Sequence, residues 1–453
     1  MADTGKRTRV EALMPELRRE LEELARITSI SSSESHEGPL LDAHDMVARL
    51  FADAGIAVER LDLPGTAPIV TGEIPAPEGA PTVLLYSHYD VVGPGDESLW
   101  DTPPFEPSER NGALFGRGTA DSKSNVLAHV GALRAHDGRP PVGIKLLIEG
   151  HEEIGSGALP AYPAEDPELF RADVVVVGDA GSVRAGTPTL TVGLRGMGDV
   201  TVEVETLASA KHSGLYGGAA PDALLVLLHA LASLHDERGD VAVAGLRREE
   251  WGGQSQTEEE LRALAEVRDG LPLIGTGGLG SRVWSGPAIT VIGIDATPVE
   301  RSLNAVPARA RARLNLRFHP EQDAVEGQAA VVEHLRAIKP FGIGLEVRAE
   351  ATGNGYAART AGPAYAAARE VWAATWGAEV VMAGSGGSIP IVQALAAAAP
   401  DAELLVVGTT DGFANIHGPN ERVLLDEFEK ATIAEADFFT RYAELYRALN
   451  VPE

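Results

Sequence analysis

The chain has 453 residues, enough for two or three domains, and its formal net charge of −28 opposes a nucleic-acid partner. It contains no cysteine, which excludes disulfide bonds, thiolate metal ligands and a cysteine nucleophile. No run approaches the roughly 18 consecutive apolar residues that span a bilayer, so we expect no membrane partner.

The amino-terminal segment predicts a helix and a cellular location. It carries charges throughout and lacks the apolar core of a secretory signal, so we expect a cytoplasmic protein. Leucines recur there at helical spacing, at Leu13, Leu17, Leu21 and Leu24. This spacing predicts an amphipathic helix that opens the chain and packs on the main domain.

Short apolar runs then alternate with helical segments. The runs are TVLLYSHYD, GIKLLIEG, ADVVVVGD and TLTVGL, and the helical segment NVLAHVGALRAH separates two of them. Short apolar runs of this kind are typical of buried strands. The alternation predicts an α/β fold with a mostly parallel central sheet.

The pattern changes near Gly198 and suggests an inserted domain. DVTVEVET, PAITVIGID and ARARARLNLRF alternate apolar and polar residues, and PDALLVLLHALASLHD is helical. We therefore expect a catalytic domain in two parts, 1–198 and 316–453, with an α+β insert at 199–315. The Gly- and acid-rich span 237–286 has the weakest secondary-structure pattern. One interpretation is that this span forms a lobe of the insert.

Five separated residues combine into a predicted metal site. They are His88 in SHYD, Asp121 in GRGTADSK, Glu153 in EGHEEIGS, Asp179 in VVVVGDAG and His417 in NIHGPNE. Each follows an apolar run or lies in a Gly-bearing loop, where an open α/β sheet places its functional groups. Imidazoles and carboxylates without thiolates suit one or two divalent ions such as Zn²⁺, with Mn²⁺ or Co²⁺ as substitutes.

Two further acids have predicted roles beside these ligands. Asp90 stands two residues after His88, so both side chains face the same way on an extended strand, and Asp90 can fix the imidazole tautomer. Glu152 adjoins Glu153 and points in a different direction. It is free to act as the general base or acid that a hydrolytic metal site needs.

The series of motifs resembles the M20 family of metallopeptidases, and its dipeptidase and carnosinase branch in particular. SHYDVV, WDTPPFEPSERNGALFGRGTADSK, EGHEEIGS, TVGLRGM, HSGLYGG, GGSIP and HGPNE occur in the family's order over nearly the whole chain. The resemblance implies a zinc-peptidase-type catalytic domain with two metal ions per subunit, bridged by Asp121. His88 and Asp179 would complete one coordination shell, and Glu153 and His417 the other. Glu152 matches the general base.

The resemblance also implies that the insert is a lid that forms a homodimer. His212 of HSGLYGG matches a histidine that reaches the partner's site and stabilises the oxyanion, and Asn304 matches a polar position near the substrate. Arg317 matches an arginine that binds the substrate's terminal carboxylate, and Ser388 would add a contact near it. The chain departs from the family's frequent DDKG by reading Asp121 and then SKS, which keeps the bridging position and loses its acidic neighbour. Members commonly have a cis peptide after the bridging aspartate.

The expected activity is hydrolysis of the amide bond of dipeptides with a free terminal carboxylate. An N-acyl-amino-acid deacylase or a small-peptide carboxypeptidase would use the same machinery with a different acyl pocket. A catalytically silent binding protein on this fold is a remote alternative, since no ligand or base is missing.

Overall fold

The computed structural model describes residues 4–31, 38–387 and 389–449. The helices are α1 Thr4–Arg26, α2 Pro39–Asp53, α3 Lys123–Ala135, α4 Pro167–Phe170, α5 Ser213–Tyr216, α6 Ala223–Ala232, α7 Glu258–Leu264, α8 Leu279–Val283, α9 Ala324–Ala337, α10 Pro363–Trp376, α11 Pro390–Ala398 and α12 Leu425–Leu449. The strands are β1 Ala57–Leu61, β2 Ile69–Ile74, β3 Thr82–His88, β4 Ser108–Arg110, β5 Ala113–Phe115, β6 Gly143–Glu149, β7 Val174–Gly178, β8 Thr189–Leu194, β9 Gly196–Glu205, β10 Lys211–His212, β11 Ala288–Asp295, β12 Ala305–Val306, β13 Arg309–Phe318, β14 Glu346–Gly353, β15 Tyr356–Ala357, β16 Val381–Ser385, β17 Glu403–Val407 and β18 Arg422–Leu424.

The chain divides into two compact units. The first comprises Met1–Val192, Ala358–Ala383 and Ile389–Glu453, and the second comprises Gly193–Ala357 and Gly384–Ser388. In the helices that the structure describes, no stretch is long and apolar enough to cross a membrane.

A mixed sheet forms the centre of the first unit, with strands in the order β1-β2-β6-β3-β7-β17-β8. The four central strands β6, β3, β7 and β17 are parallel, whereas β1, β2 and β8 are antiparallel to their neighbours. The predicted α/β class with a mostly parallel centre is confirmed. Parallel strands are covered on both faces, which explains why β7 is buried along its whole length.

Helices α1, α3, α10 and α12 pack together in this unit. The predicted opening helix is α1, and its Leu17 and Leu21 are fully buried. Gly131 of α3 allows the close approach of the other helices, since a Cβ atom there would lie 2.6 Å from Thr432 of α12 and 2.7 Å from Leu17. This packing fixes α3, whose amino terminus follows Asp121 by two residues.

The second unit contains a four-stranded antiparallel sheet in the order β11-β13-β9-β14. Even-numbered residues of β9 and β13 are buried with α6 and α9, and odd-numbered residues form the opposite, polar face. The unit extends beyond the predicted boundary at residue 315, which falls inside β13. An amphipathic helix such as α9 has the same pattern in either domain, so the pattern did not show that α9 packs on this sheet or that β14 is one of its strands.

Candidate metal centre

The first unit brings the predicted ligands to one edge of its sheet. His88 is the last residue of β3, Asp179 directly follows β7, and the turn carrying Glu152 and Glu153 follows β6. These three strands are parallel neighbours, and His88 lies opposite Glu149, the last residue of β6. Their carboxyl ends therefore meet at the same edge, where α/β sheets place ligand sites.

Asp121 lies between the two histidines. Its Oδ1 is 3.1 Å from Nε2 of His88, and its Oδ2 is 3.1 Å from Nε2 of His417. Asp179 lies 3.3 Å from the same nitrogen of His88, and Glu153 lies 3.0 Å from the same nitrogen of His417. The five predicted ligands thus form two groups that share the Asp121 carboxylate.

Asp90 supports both His88 and the glutamate turn. Nδ1 of His88 lies 3.1 Å from the carbonyl oxygen of Asp90 and 3.3 Å from its Oδ1. The Asp90 carboxylate accepts hydrogen bonds from the backbone N–H groups of Glu152 at 3.3 Å and Glu153 at 3.1 Å, and from the Ser31 hydroxyl. One buried acid therefore sets the orientation of the imidazole and the position of the turn.

Glu152 lies beside one of the two groups. Its carboxylate, a ligand nitrogen of His88 and the Asp179 carboxylate all lie within 4.8 Å of one another. Burial raises the pKa of Glu152 well above its usual range, and the nearby charge of Asp179 adds to this effect. A carboxyl group that binds a proton so readily has the character that acid–base chemistry near neutral pH requires.

The loop that carries Asp121 is held by two residues for which no role was predicted. Glu421 accepts hydrogen bonds from the backbone N–H groups of Ala120 and Asp121, each at 3.0 Å, and forms a buried ion pair with Arg117. Glu421 belongs to the quoted motif HGPNE and Arg117 to GRGTADSK, so their places in these motifs were the available signal. The peptide bond Asp121–Ser122 is cis.

The donor set fits divalent cations. Four carboxylates, those of Asp121, Glu152, Glu153 and Asp179, surround two imidazoles, so negative charge is in excess in a largely buried cluster. Oε1 of Glu153 is buried and has no hydrogen-bond partner among the described residues. A buried carboxylate oxygen without a donor is costly, and a cation satisfies both it and the excess charge.

The predicted substrate-binding residues lie in the second unit. His212 is exposed and caps the amino terminus of α5, with its Nδ1 accepting a hydrogen bond from the Gly214 N–H at 3.0 Å. His212 pairs with Ala305 in the short β10–β12 ladder. The exposed Asn304 directly precedes β12 and therefore lies close to His212. Arg317 lies in β13. Ser388 lies outside the described residues.

Two imidazoles and several carboxylates grouped at the carboxyl ends of parallel strands have the donor types and the placement of a metal-dependent hydrolase site. The sequence model of peptidase family M20/M25/M40 matches residues 84–441. The chain belongs to this family.

Individual relatives are similar over almost the whole chain. A cysteinylglycine-S-conjugate dipeptidase of Corynebacterium striatum is 39% identical over 433 residues, which covers 94% of this chain and 95% of the relative. Among solved structures, the dipeptidase Dug1p of Saccharomyces cerevisiae has a TM-score of 0.81 at 23% identity, covering 99% of both chains. Human carnosine dipeptidase 1 has a TM-score of 0.80 at 23% identity, covering 97% of this chain and 98% of the other.

Proposed function

We propose that the chain is a metallodipeptidase that holds two divalent ions and cleaves the amide bond of dipeptides with a free terminal carboxylate. The observation that carries the proposal is the Asp121 carboxylate, whose two oxygens face two different histidines at 3.1 Å. The names of the similar proteins support dipeptides as substrates.

In this proposal Asp121 would be a ligand shared by the two ions. His88 and Asp179 would complete one ligand set, and Glu153 and His417 the other. Bound divalent ions supply Lewis-acid activation of water and of the amide carbonyl. The donor types agree with Zn²⁺, and Mn²⁺ or Co²⁺ are the alternatives.

Glu152 moves the proton. Its carboxylate accepts a proton from the attacking water and then donates it to the leaving amine, while Asp90 keeps the His88 ring and the Glu152 backbone in place. Glu152 is suited to this task because it stands beside the ligands without being needed to complete either proposed set. Replacing it therefore separates chemistry from metal binding.

Residues of the second unit bind the rest of the substrate in this proposal. Arg317 binds the terminal carboxylate, for which a planar guanidinium is suited, and Asn304 and Ser388 lie near the substrate. His212, supplied by a second copy of the chain, stabilises the oxyanion. Its exposure in one copy is compatible with this role.

The homodimer is supported by exposed apolar side chains on two elements of the second unit. Strand β11 lies at an edge of its sheet and exposes Val291, Ile292 and Ile294 by 45%, 54% and 46%, and helix α6 exposes Leu225 and Leu228 by 47% and 48%. Exposed edge strands with apolar side chains are prone to pair with another chain. A second copy of this chain is the proposed occupant.

A deacylase or small-peptide carboxypeptidase of the same family is the second candidate. It would use the same metal ligands and base, so the substrate panel must separate it from a dipeptidase. A silent binding protein is disfavoured because every predicted ligand and Glu152 are grouped together. The cytoplasmic location stays a prediction.

The deciding experiment measures amide hydrolysis by Zn²⁺- or Mn²⁺-loaded protein, with chelator-treated protein alongside. The panel contains Cys-Gly, an S-substituted Cys-Gly, β-Ala-His, tripeptides and N-acetyl amino acids. We expect metal-dependent cleavage of dipeptides only. Cleavage restricted to N-acetyl amino acids would assign the chain to the deacylases, and an inactive but metal-loaded protein would contradict the proposal.

A further inference from the structure

The polar face of the sheet in the second unit carries a row of arginines on β13. Odd-numbered residues of β13 lie on this face, opposite the buried even-numbered ones. Three of these arginines form ion pairs: Arg309 with Glu205 at 3.4 Å, Arg311 with Asp295 at 2.6 Å and Arg313 with Asp199 at 2.8 Å. The sheet therefore neutralises its own cations along most of this face.

Arg317 and Arg195 break this pattern. Arg317 continues the row and lies opposite Met197, while Arg195 stands two residues before Met197, where an extended chain presents its side chain on the same face. Within the described ranges, neither arginine forms an ion pair with a carboxylate. Their charges are close enough to repel each other, and burial together with Arg317 lowers the pKa of Arg195 to about 10.

Arg195 is also held in place and left with unused hydrogen-bonding capacity. Its backbone N–H donates to the Ser385 carbonyl at 3.3 Å, and its Nη1 lies 3.5 Å from the Gly286 carbonyl. Its Nε is buried and has no hydrogen-bond partner in the part of the chain that the structure describes. A desolvated guanidinium with a free donor and a second cation nearby is a binding site for an anion.

Glycine keeps the neighbouring backbone clear of this guanidinium. A Cβ atom at Gly386 would lie 3.1 Å from Nη2 of Arg195, closer than side chains ordinarily approach. The segment Gly386–Gly387 precedes Ser388, for which the family resemblance implies a contact near the substrate carboxylate. Small residues here leave room for a ligand oxygen against the guanidinium.

We propose that Arg195 is a second substrate-binding arginine, which binds the terminal carboxylate of the dipeptide together with Arg317. The inference rests on the proposed function and adds a residue to it. A carboxylate has two oxygens that can each accept hydrogen bonds from a different guanidinium. Its charge relieves the repulsion between the two arginines, so the pair binds a free carboxylate and discriminates against a neutral terminus.

The test compares a dipeptide with its carboxyl-terminal amide. Arg195→Met raises KM for the dipeptide and lowers kcat/KM about 10- to 100-fold, the loss expected for hydrogen bonds to a charged group. The same variant changes kcat/KM for the amide less than about threefold. Arg195→Lys recovers part of the lost kcat/KM, because lysine restores the positive charge but not the planar pair of donors. Arg311→Met, on the same strand and face but exposed and ion-paired, is the matched control and leaves both substrates unaffected.

A binding measurement with an uncleavable probe distinguishes failure of this inference from failure of the proposed activity. The probe is a dipeptide whose amide is reduced to a methylene amine, measured by calorimetry as the free carboxylate and as the terminal amide. In one outcome the wild-type protein cleaves no substrate but binds the carboxylate probe better than the amide probe, and Arg195→Met abolishes this preference. The proposed function then fails and the anion site stands. An equal loss for both substrates or both probes would show that Arg195 is only structural, and no loss would overturn its role altogether.

Discussion

The buried pair Arg117–Glu421 allows a quantitative test of how the loop of Asp121 is held. Both side chains are at most 1% exposed, and Glu421 also accepts the backbone N–H groups of Ala120 and Asp121 at 3.0 Å. Glu421→Gln keeps the size and an acceptor oxygen but leaves the guanidinium without its counter-charge. Removing one partner of a buried ion pair costs about 3–5 kcal/mol, a large part of the roughly 5–15 kcal/mol by which domains are stable.

The assay is urea unfolding, followed by circular dichroism, of Glu421→Gln, Arg117→Met and the double variant. The double variant should be less destabilised than the sum of the single variants, because it leaves no unpaired buried charge. Asp137→Asn removes an exposed ion pair with Arg9 and should cost less than about 1 kcal/mol. The reasoning would be refuted if the free energies of unfolding lost in Glu421→Gln and Arg117→Met added up in the double variant. A loss as small as that of Asp137→Asn would refute it as well.

Three other variants test separate parts of the proposal. Glu152→Gln should lower kcat by about 10²–10⁴-fold, while the metal content measured by mass spectrometry stays the same. A loss of metal would contradict the role of Glu152 as the base. Ile292→Lys should convert the dimer to monomers in sedimentation equilibrium; an unchanged mass would exclude β11 from the interface. The buried ring of His129 lies 2.7 Å from Glu435, and although burial opposes its charge, this acid raises its pKa above the usual value. The folded state therefore binds a proton that the unfolded state releases, so the free energy of unfolding should fall as pH rises from about 6.5 through the raised pKa. Urea titrations of Glu435→Gln should no longer show this fall.

The grouping of the five predicted ligand residues could be expected from the sequence because each stands beside a local feature. Three lie at or just beyond the ends of strands whose apolar composition is visible in the chain: His88, Glu153 and Asp179. Parallel strands bring their carboxyl ends to one edge, so grouping them needs only the fold class. Asp121 and His417 came from Gly-bearing loops, and there the order of motifs along the whole chain was the stronger signal.

Other features could not be predicted because they depend on contacts between distant segments. Glu421 reaches the N–H of Asp121 across 300 positions, and no local pattern reports such a contact. The extent of the second unit to Ala357 depends on β14 pairing with β9. Arg195 stands out only by comparison with the ion-paired arginines of β13, because it has no carboxylate partner among the described residues. Ion pairing of this kind is a property of the folded sheet.

The departure after Asp121 has a physical explanation in the fold. Ser122 is fully buried, its hydroxyl donates to the Gly178 carbonyl at 2.9 Å, and the amide of Asn125 donates to it at 2.8 Å. The Ser87 hydroxyl also donates to the Gly178 carbonyl at 2.9 Å. A hydroxyl satisfies a carbonyl acceptor and an amide donor at once, whereas an ionised carboxylate cannot donate. Ser122 therefore connects the loop that carries Asp121 to the end of β7, next to Asp179, without adding a charge to a cluster already rich in carboxylates.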